Sequence, residues 1–270
     1  MHLFITAIML YACINVNAQE QNISKNHKID NLESVYTTLK SDTSKANILL
    51  ALADEYANLN QNKALQLINK ALEIAIKSNY SIGIADSYSK KARIYILTGK
   101  LDSAGILNNK ALLIYKELNN NSGILNCYSN LSVLEYYKGN NIKSIKYSRK
   151  ALIYAKKTKN SKKTVKIYNN LGLMYSNKGM FDSAIVFAFE SLKISEIISD
   201  SININSCYIN IGGYYLQMDD SINTVKYLDK GIKLSKEIND KRGLCICYSN
   251  LAGFYMKYNQ LDTALKLLTI

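Results

Sequence analysis

At 270 residues the chain is long enough for one or two ordinary domains, or for several copies of a smaller unit. A hydrophobic content of 48% excludes wholesale disorder, and the absence of alternating runs closed by Asn-Gly or Asp-Gly excludes a mainly β chain. There is no proline, which suits a nearly continuous helical chain because a proline inside a helix costs about 3 kcal/mol. The fold class expected is all-α.

In chain order, residues 1–18, MHLFITAIMLYACINVNA, carry no Lys, Arg, Asp or Glu. The apolar run from Leu3 to Ile14 is too short to span a bilayer, and Val16 and Ala18 fit the small-residue pattern of a cleavage site. This predicts a signal peptide and an exported protein, periplasmic or extracellular. Cys127, Cys207, Cys245 and Cys247 would then lie unbridged in an oxidising compartment, which favours the cytoplasmic alternative. Residues 19–41 read as a polar tether with a short helix around Leu32, Val35, Tyr36 and Leu39.

From residue 42 the chain repeats itself. Tyr88, Tyr128, Tyr168, Tyr208 and Tyr248 are each 40 residues apart. In the best-defined unit, 161–200, Tyr168, Leu171, Gly172 and Tyr175 fall at offsets 0, 3, 4 and 7, one face of a helix; Ala184, Ala188, Ser191 and Leu192 start a second. Five units (42–80, 81–120, 121–160, 161–200 and 201–240) precede a sixth, which begins at Lys241 and is cut short at Ile270. Gly99, Gly139, Gly179, Asp219 and Asn259 mark the turn inside each unit, where a left-handed residue ends a helix. Asn120, Asn160, Asp200 and Asp240 mark a second turn column between units. Two columns of small residues, Ala53, Ala92, Ser132, Gly172, Gly212 and Ala252, then Ala64, Ala104, Ser144, Ala184, Thr224 and Ala264, let paired helices approach closely. Leu131, Leu171, Ile211, Leu251 and the tyrosine columns fill the space beside them, with Tyr175 expected to be well buried. Cys127, Cys207 and Cys247 share one phase and read as half-buried apolar packing.

These residues resemble the tetratricopeptide repeat. Its W-x2-L-G-x2-Y…A pattern is met by Tyr168, Leu171, Gly172, Tyr175 and Ala184, with Tyr replacing Trp. The period is 40 instead of 34, which calls for longer helices, and the closing proline is replaced by Asn/Asp turns. The resemblance implies a right-handed α-solenoid of stacked helix-turn-helix repeats over 42–270, its first helices lining a concave face. The 40-residue variety is similar to exported N-terminal sensor arrays of bacterial histidine kinases and transcriptional regulators.

On that concave face the clearest column is Asn130, Asn170, Asn210 and Asn250, with Lys90 at the same phase. Side-chain amides both donate and accept, so such a ladder can clamp the backbone of an extended peptide; the same residues can instead bond neighbouring helices. Tyr136, Tyr137, Leu216, Gln217 and Met256, near the ends of the first helices, offer side-chain pockets or pack against the adjoining repeat.

The net charge of +13 is concentrated between Tyr136 and Phe181, where no acidic residue occurs. Lys143, Lys146, Arg149, Lys150, Lys156, Lys157, Lys162, Lys163 and Lys166 form a basic patch. It is able to attract an anionic partner, or it is simply a solvated surface. Nucleic acid is disfavoured because the aromatic or arginine-rich interleaving of its binders is missing. Catalysis finds little support: His2 and His27 lie outside the repeats, and no phosphate-binding loop or metal-ligand set occurs, so neither cofactor nor metal is expected.

The expected function is therefore non-enzymatic binding of a protein or peptide segment. Two alternatives stand beside it: a sensor module whose C-terminal effector is missing, and a structural oligomerisation scaffold. Leu261, Ala264, Leu265, Leu267, Leu268 and Ile270 form an uncapped apolar face suited to self-association. A membrane enters these expectations only through a signal segment, an anchor or a missing C-terminal segment.

Overall fold

The computed structural model describes residues 27–268, among which every regular element is an α-helix. The expected signal peptide, the tether up to residue 26, and Ile270 lie outside the described residues. The short helix expected after the tether is α1, residues 27–38. Six hairpins follow: α2 (Asp42–Tyr56) with α3 (Gln61–Lys77), α4 (Ser81–Leu97) with α5 (Leu101–Glu117), α6 (Asn121–Tyr137) with α7 (Asn141–Lys157), α8 (Ser161–Ser176) with α9 (Phe181–Ile197), α10 (Ser201–Gln217) with α11 (Ser221–Glu237), and α12 (Lys241–Lys257) with α13 (Leu261–Leu268).

Helix length explains the period. Helices α4 to α7 have 17 residues each, and three-residue links join them. Two such helices and two such links make up the 40-residue spacing.

From α3 onward, both kinds of link end a helix with one left-handed residue. Inside the hairpins these are Gly99, Gly139 and Gly179, with φ of 75°, 77° and 71°, then Asp219 at 61° and Asn259 at 59°. This is the column expected. Between hairpins the left-handed residues are Asn79, Asn119, Lys159, Ser199 and Asn239, with φ of 50° to 55°. They sit one position before the column that the sequence suggested, and Asn120, Asp200 and Asp240 serve instead as N-caps. Their side chains accept from the backbone N–H of Gly123 (2.8 Å), Asn203 (3.2 Å) and Gly243 (2.9 Å), satisfying donors that the first turn leaves open. The cap fixes where the next helix starts.

The described residues divide into two compact units, 27–160 and 161–268. In the first, α2, α4 and α6 each pack against the second helix of their own hairpin, and α4 also packs against α2, α3 and α6. Ala46, Leu49, Leu50, Ala53, Ala64, Ile68, Ala71 and Ile94 close its leading core. In the second unit, α10 packs against α8, α9, α11 and α12. One cluster there is built on Ala184, Leu192, Cys207 and Ile211, another on Leu228, Cys247 and Leu251. Every member of both small-residue columns is buried. Leu131, Leu171, Ile211 and Leu251 are buried beside them.

Three burial expectations change. Tyr175 is half-buried; the aromatic wholly withdrawn from solvent is Tyr115, 1% exposed, whose hydroxyl donates to the Asp86 carboxylate. Cys127, Cys207 and Cys247 are fully buried, not half-buried, and no disulfide joins them. Burial pushes the Cys127 and Cys247 thiols up to about 12. The tyrosine column is buried at Tyr128 and Tyr168 and only half-buried at Tyr88, Tyr208 and Tyr248. Matching niches do exist: the ring of Tyr128 lies 6.2 Å from Tyr147, Tyr168 lies 6.1 Å from Phe187, and Tyr208 lies 6.3 Å from Tyr227.

Candidate ligand-binding face

The candidate column belongs to the first helix of each hairpin, and its members meet different surroundings in the two units. In unit 27–160, Lys90 on α4 forms an ion pair with Asp54 on α2, which also accepts from Arg93 at 3.1 Å. Asn130 on α6 is held from two sides. Its Nδ2 donates to the Ser89 carbonyl at 3.2 Å, to the Ser89 hydroxyl at 3.3 Å and to Oδ1 of Asn108 at 3.1 Å. Asn108, buried on α5, in turn donates to the Cys127 carbonyl at 3.1 Å. The amide of Asn130 thus completes a buried polar chain joining α4, α5 and α6.

In unit 161–268 the column is differently placed. Asn170 is exposed on α8, and Asn210 and Asn250 are half-buried on α10 and α12. None of the three has a side-chain hydrogen bond among the described residues. One turn further along, Gly213 and Gly253 follow Asn210 and Asn250. A Cβ at Gly213 would meet only Nδ2 of Asn250, at 3.7 Å, and one at Gly253 would meet nothing within 4 Å. On α10 and α12 this face is therefore lined by amides and nearly bare backbone, whereas on α8 the exposed Leu173 takes the place of the glycine. Adjacent packed helices lie about 8–10 Å apart, which matches roughly three residues of an extended peptide at about 3.3 Å each.

The suggested pocket residues mostly pack internally. Tyr136 is half-buried with its ring 6.0 Å from that of Tyr137, which is exposed. Leu216 is half-buried and Gln217 exposed, while Met256 packs on Ala252 and Ala264.

The basic residues belong to both units. On α7, Lys143, Lys146, Arg149, Lys156 and Lys157 are exposed and Lys150 is half-buried. The Lys150 ammonium lies 5.3 Å from the Tyr128 ring centre and 5.8 Å from that of Tyr147, and Lys157 lies 5.1 Å from that of Tyr154. Aromatic residues thus do lie among these cations, a feature the linear pattern had seemed to lack, but Lys150 is drawn onto its own fold. Lys162 and Lys166 are exposed and Lys163 half-buried on α8, in the other unit. At the last helix, Leu261 and Leu265 are exposed while Ala264 and Leu267 pack against α12.

Paired helices of mostly 17 residues, small residues at the crossings and a left-handed residue at every link after α3 define a helical-repeat fold of the tetratricopeptide type. Comparison with solved structures agrees. A signal-transduction ATPase with a tetratricopeptide repeat sensor from Pyrococcus horikoshii is 18% identical, with a TM-score of 0.69 over 97% of this chain and 43% of its own. A Rap protein complexed with competence and sporulation factor is 15% identical, with a TM-score of 0.68 over 99% of this chain and 74% of its own. NprR in complex with its cognate peptide NprX is 18% identical, with a TM-score of 0.60 over 99% and 78%. No protein-family model matches the chain. A search of curated proteins finds no significant match.

Proposed function

We propose that this protein is a non-enzymatic binding module that takes an extended peptide or protein segment across the first helices of unit 161–268. The observation that carries the reading is the trio Asn170, Asn210 and Asn250: three amides at one helical phase, without hydrogen-bond partners among the described residues. Each has a donor and an acceptor to offer a peptide backbone. Lys90 and Asn130, at the same phase, are engaged within the fold and are assigned to stability instead. The fold supports the reading, since the similar Rap and NprR structures hold a factor and a peptide.

Replacing Asn170 and Asn210 together by alanine tests it. Peptides selected from a displayed random library on the unaltered protein should lose at least tenfold in affinity for the double variant, while helicity and melting stay unchanged. Selected peptides that bind both proteins equally would refute the assignment.

A second reading, a sensor half coupled to an effector, is favoured by the repeat sensor of the Pyrococcus ATPase, of which this chain spans under half. It uses the same face and adds a relay.

A further inference from the structure

Helix α7 carries a second surface that peptide binding does not use. Its inward side is made of Ser144, Ser148, Ala151 and Ala155, all buried, so the helix is fixed to its own unit. Opposite them, Ile142, Lys146, Arg149, Ile153 and Lys156 fall at offsets 0, 4, 7, 11 and 14, one stripe along the outward side. The stripe is about 21 Å long at 1.5 Å per residue. Two aliphatic side chains stand out in solvent on it: Ile142 is 79% exposed and Ile153 54%. Lys143 and Lys157 flank it, and no carboxylate occurs on α7 or anywhere from Tyr136 to Phe181. On the two helices before it, Asp102 on α5 pairs with Lys138 at 2.7 Å, and Glu135 on α6 accepts from Nδ2 of Asn140 at 2.8 Å.

We propose that this outward side of α7 is a peripheral docking surface for an anionic lipid bilayer. Charge complementarity explains the cations: lysines close to an anionic surface each add attraction that falls off within a Debye length. The exposed isoleucines choose between anionic partners. A phosphate backbone gives an aliphatic side chain nothing to gain, whereas the boundary between headgroups and acyl chains takes both kinds of side chain at once. Contact is peripheral, because no helix among the described residues is long and apolar enough to cross a membrane.

The full chain should sediment with phosphatidylcholine vesicles containing phosphatidylglycerol, not with phosphatidylcholine alone, and rising salt should release it. Replacing Lys143, Lys146 and Lys156 by glutamine should weaken partitioning about a hundredfold, roughly fivefold for each cation removed. Ile142→Ser with Ile153→Ser should weaken it about tenfold at unchanged helicity. Failure to bind the anionic vesicles would overturn the proposal, as would vesicle binding that both variants retain. So would a serine variant that binds vesicles normally, or binding of a double-stranded oligonucleotide in place of vesicles.

Discussion

Adding one methyl group at two glycines should move stability in opposite directions. A Cβ at Gly123, in the first turn of α6, would lie 2.2 to 2.4 Å from three ring carbons of Tyr115. That ring has nowhere to withdraw, being 1% exposed and tied through its hydroxyl to Asp86. In Gly123→Ala the ring must therefore shift by more than an ångström. Overpacking costs about 1–3 kcal/mol, and weakening a hydrogen bond to a charged acceptor costs about 1.5–3 kcal/mol more. The helical preference of alanine offsets at most about 1 kcal/mol, leaving a net loss of about 1.5–5 kcal/mol. In Gly253→Ala the new methyl meets nothing within 4 Å, so only the favourable term of about 0.5–1 kcal/mol remains. Thermal melting followed by circular dichroism should show the first variant lowered by roughly 3–20 °C and the second raised by a few degrees. A Gly123→Ala variant as stable as the parent would refute the account of Tyr115 as a locked core residue.

Asn108→Ala should cost about 2–3 kcal/mol, because it takes the second, side-chain donor from the buried Cys127 carbonyl and the Oδ1 acceptor from Asn130. Asn109→Ala, one residue along on the exposed side, should stay within about 0.5 kcal/mol in the same urea titration. Stability should also fall at alkaline pH. The Cys127 and Cys247 thiols are pushed up by burial from an ordinary 9.0 to about 12, so the unfolded chain loses these protons first. Their contribution is complete below about pH 9 and drains away as pH rises towards about 12. A urea midpoint that holds level from neutrality to about pH 11 would contradict the burial of these thiols.

Much of the fold was legible in the sequence because it depends on spacing. The 40-residue period, the helix phases and the column of Gly99, Gly139 and Gly179 all follow from local rules that act within a few residues. What escaped was long-range. Asn130, Asn170, Asn210 and Asn250 look identical in line, yet Asn130 alone meets Asn108, a residue on the preceding hairpin that no other repeat duplicates at that phase. Tyr115 stands where the other repeats carry Ala75, Ala155, Ser195 and Ser235. Gly123 gives up the volume that Tyr115 takes, but it was no signal for it, since Gly83 and Gly243 stand at the same phase beside Ala75 and Ser235. The N-caps Asn120, Asp200 and Asp240 were a matter of one residue. An Asn or Asp beside a helix start suits both a turn and a cap, and only the backbone φ at Asn119, Ser199 and Asn239 separates the two.

The fixed alternation of 17-residue helices with three-residue links also limits how such a gene can change length. Losing or gaining one codon inside a helix turns everything beyond it through about 100°, carrying buried alanines to the outside and lysines to the inside. A duplication of 40 codons, by contrast, leaves every seam between hairpins as it was. Growth by whole hairpins is therefore mechanically silent, and binding faces can be added or dropped without redesigning the ones already there.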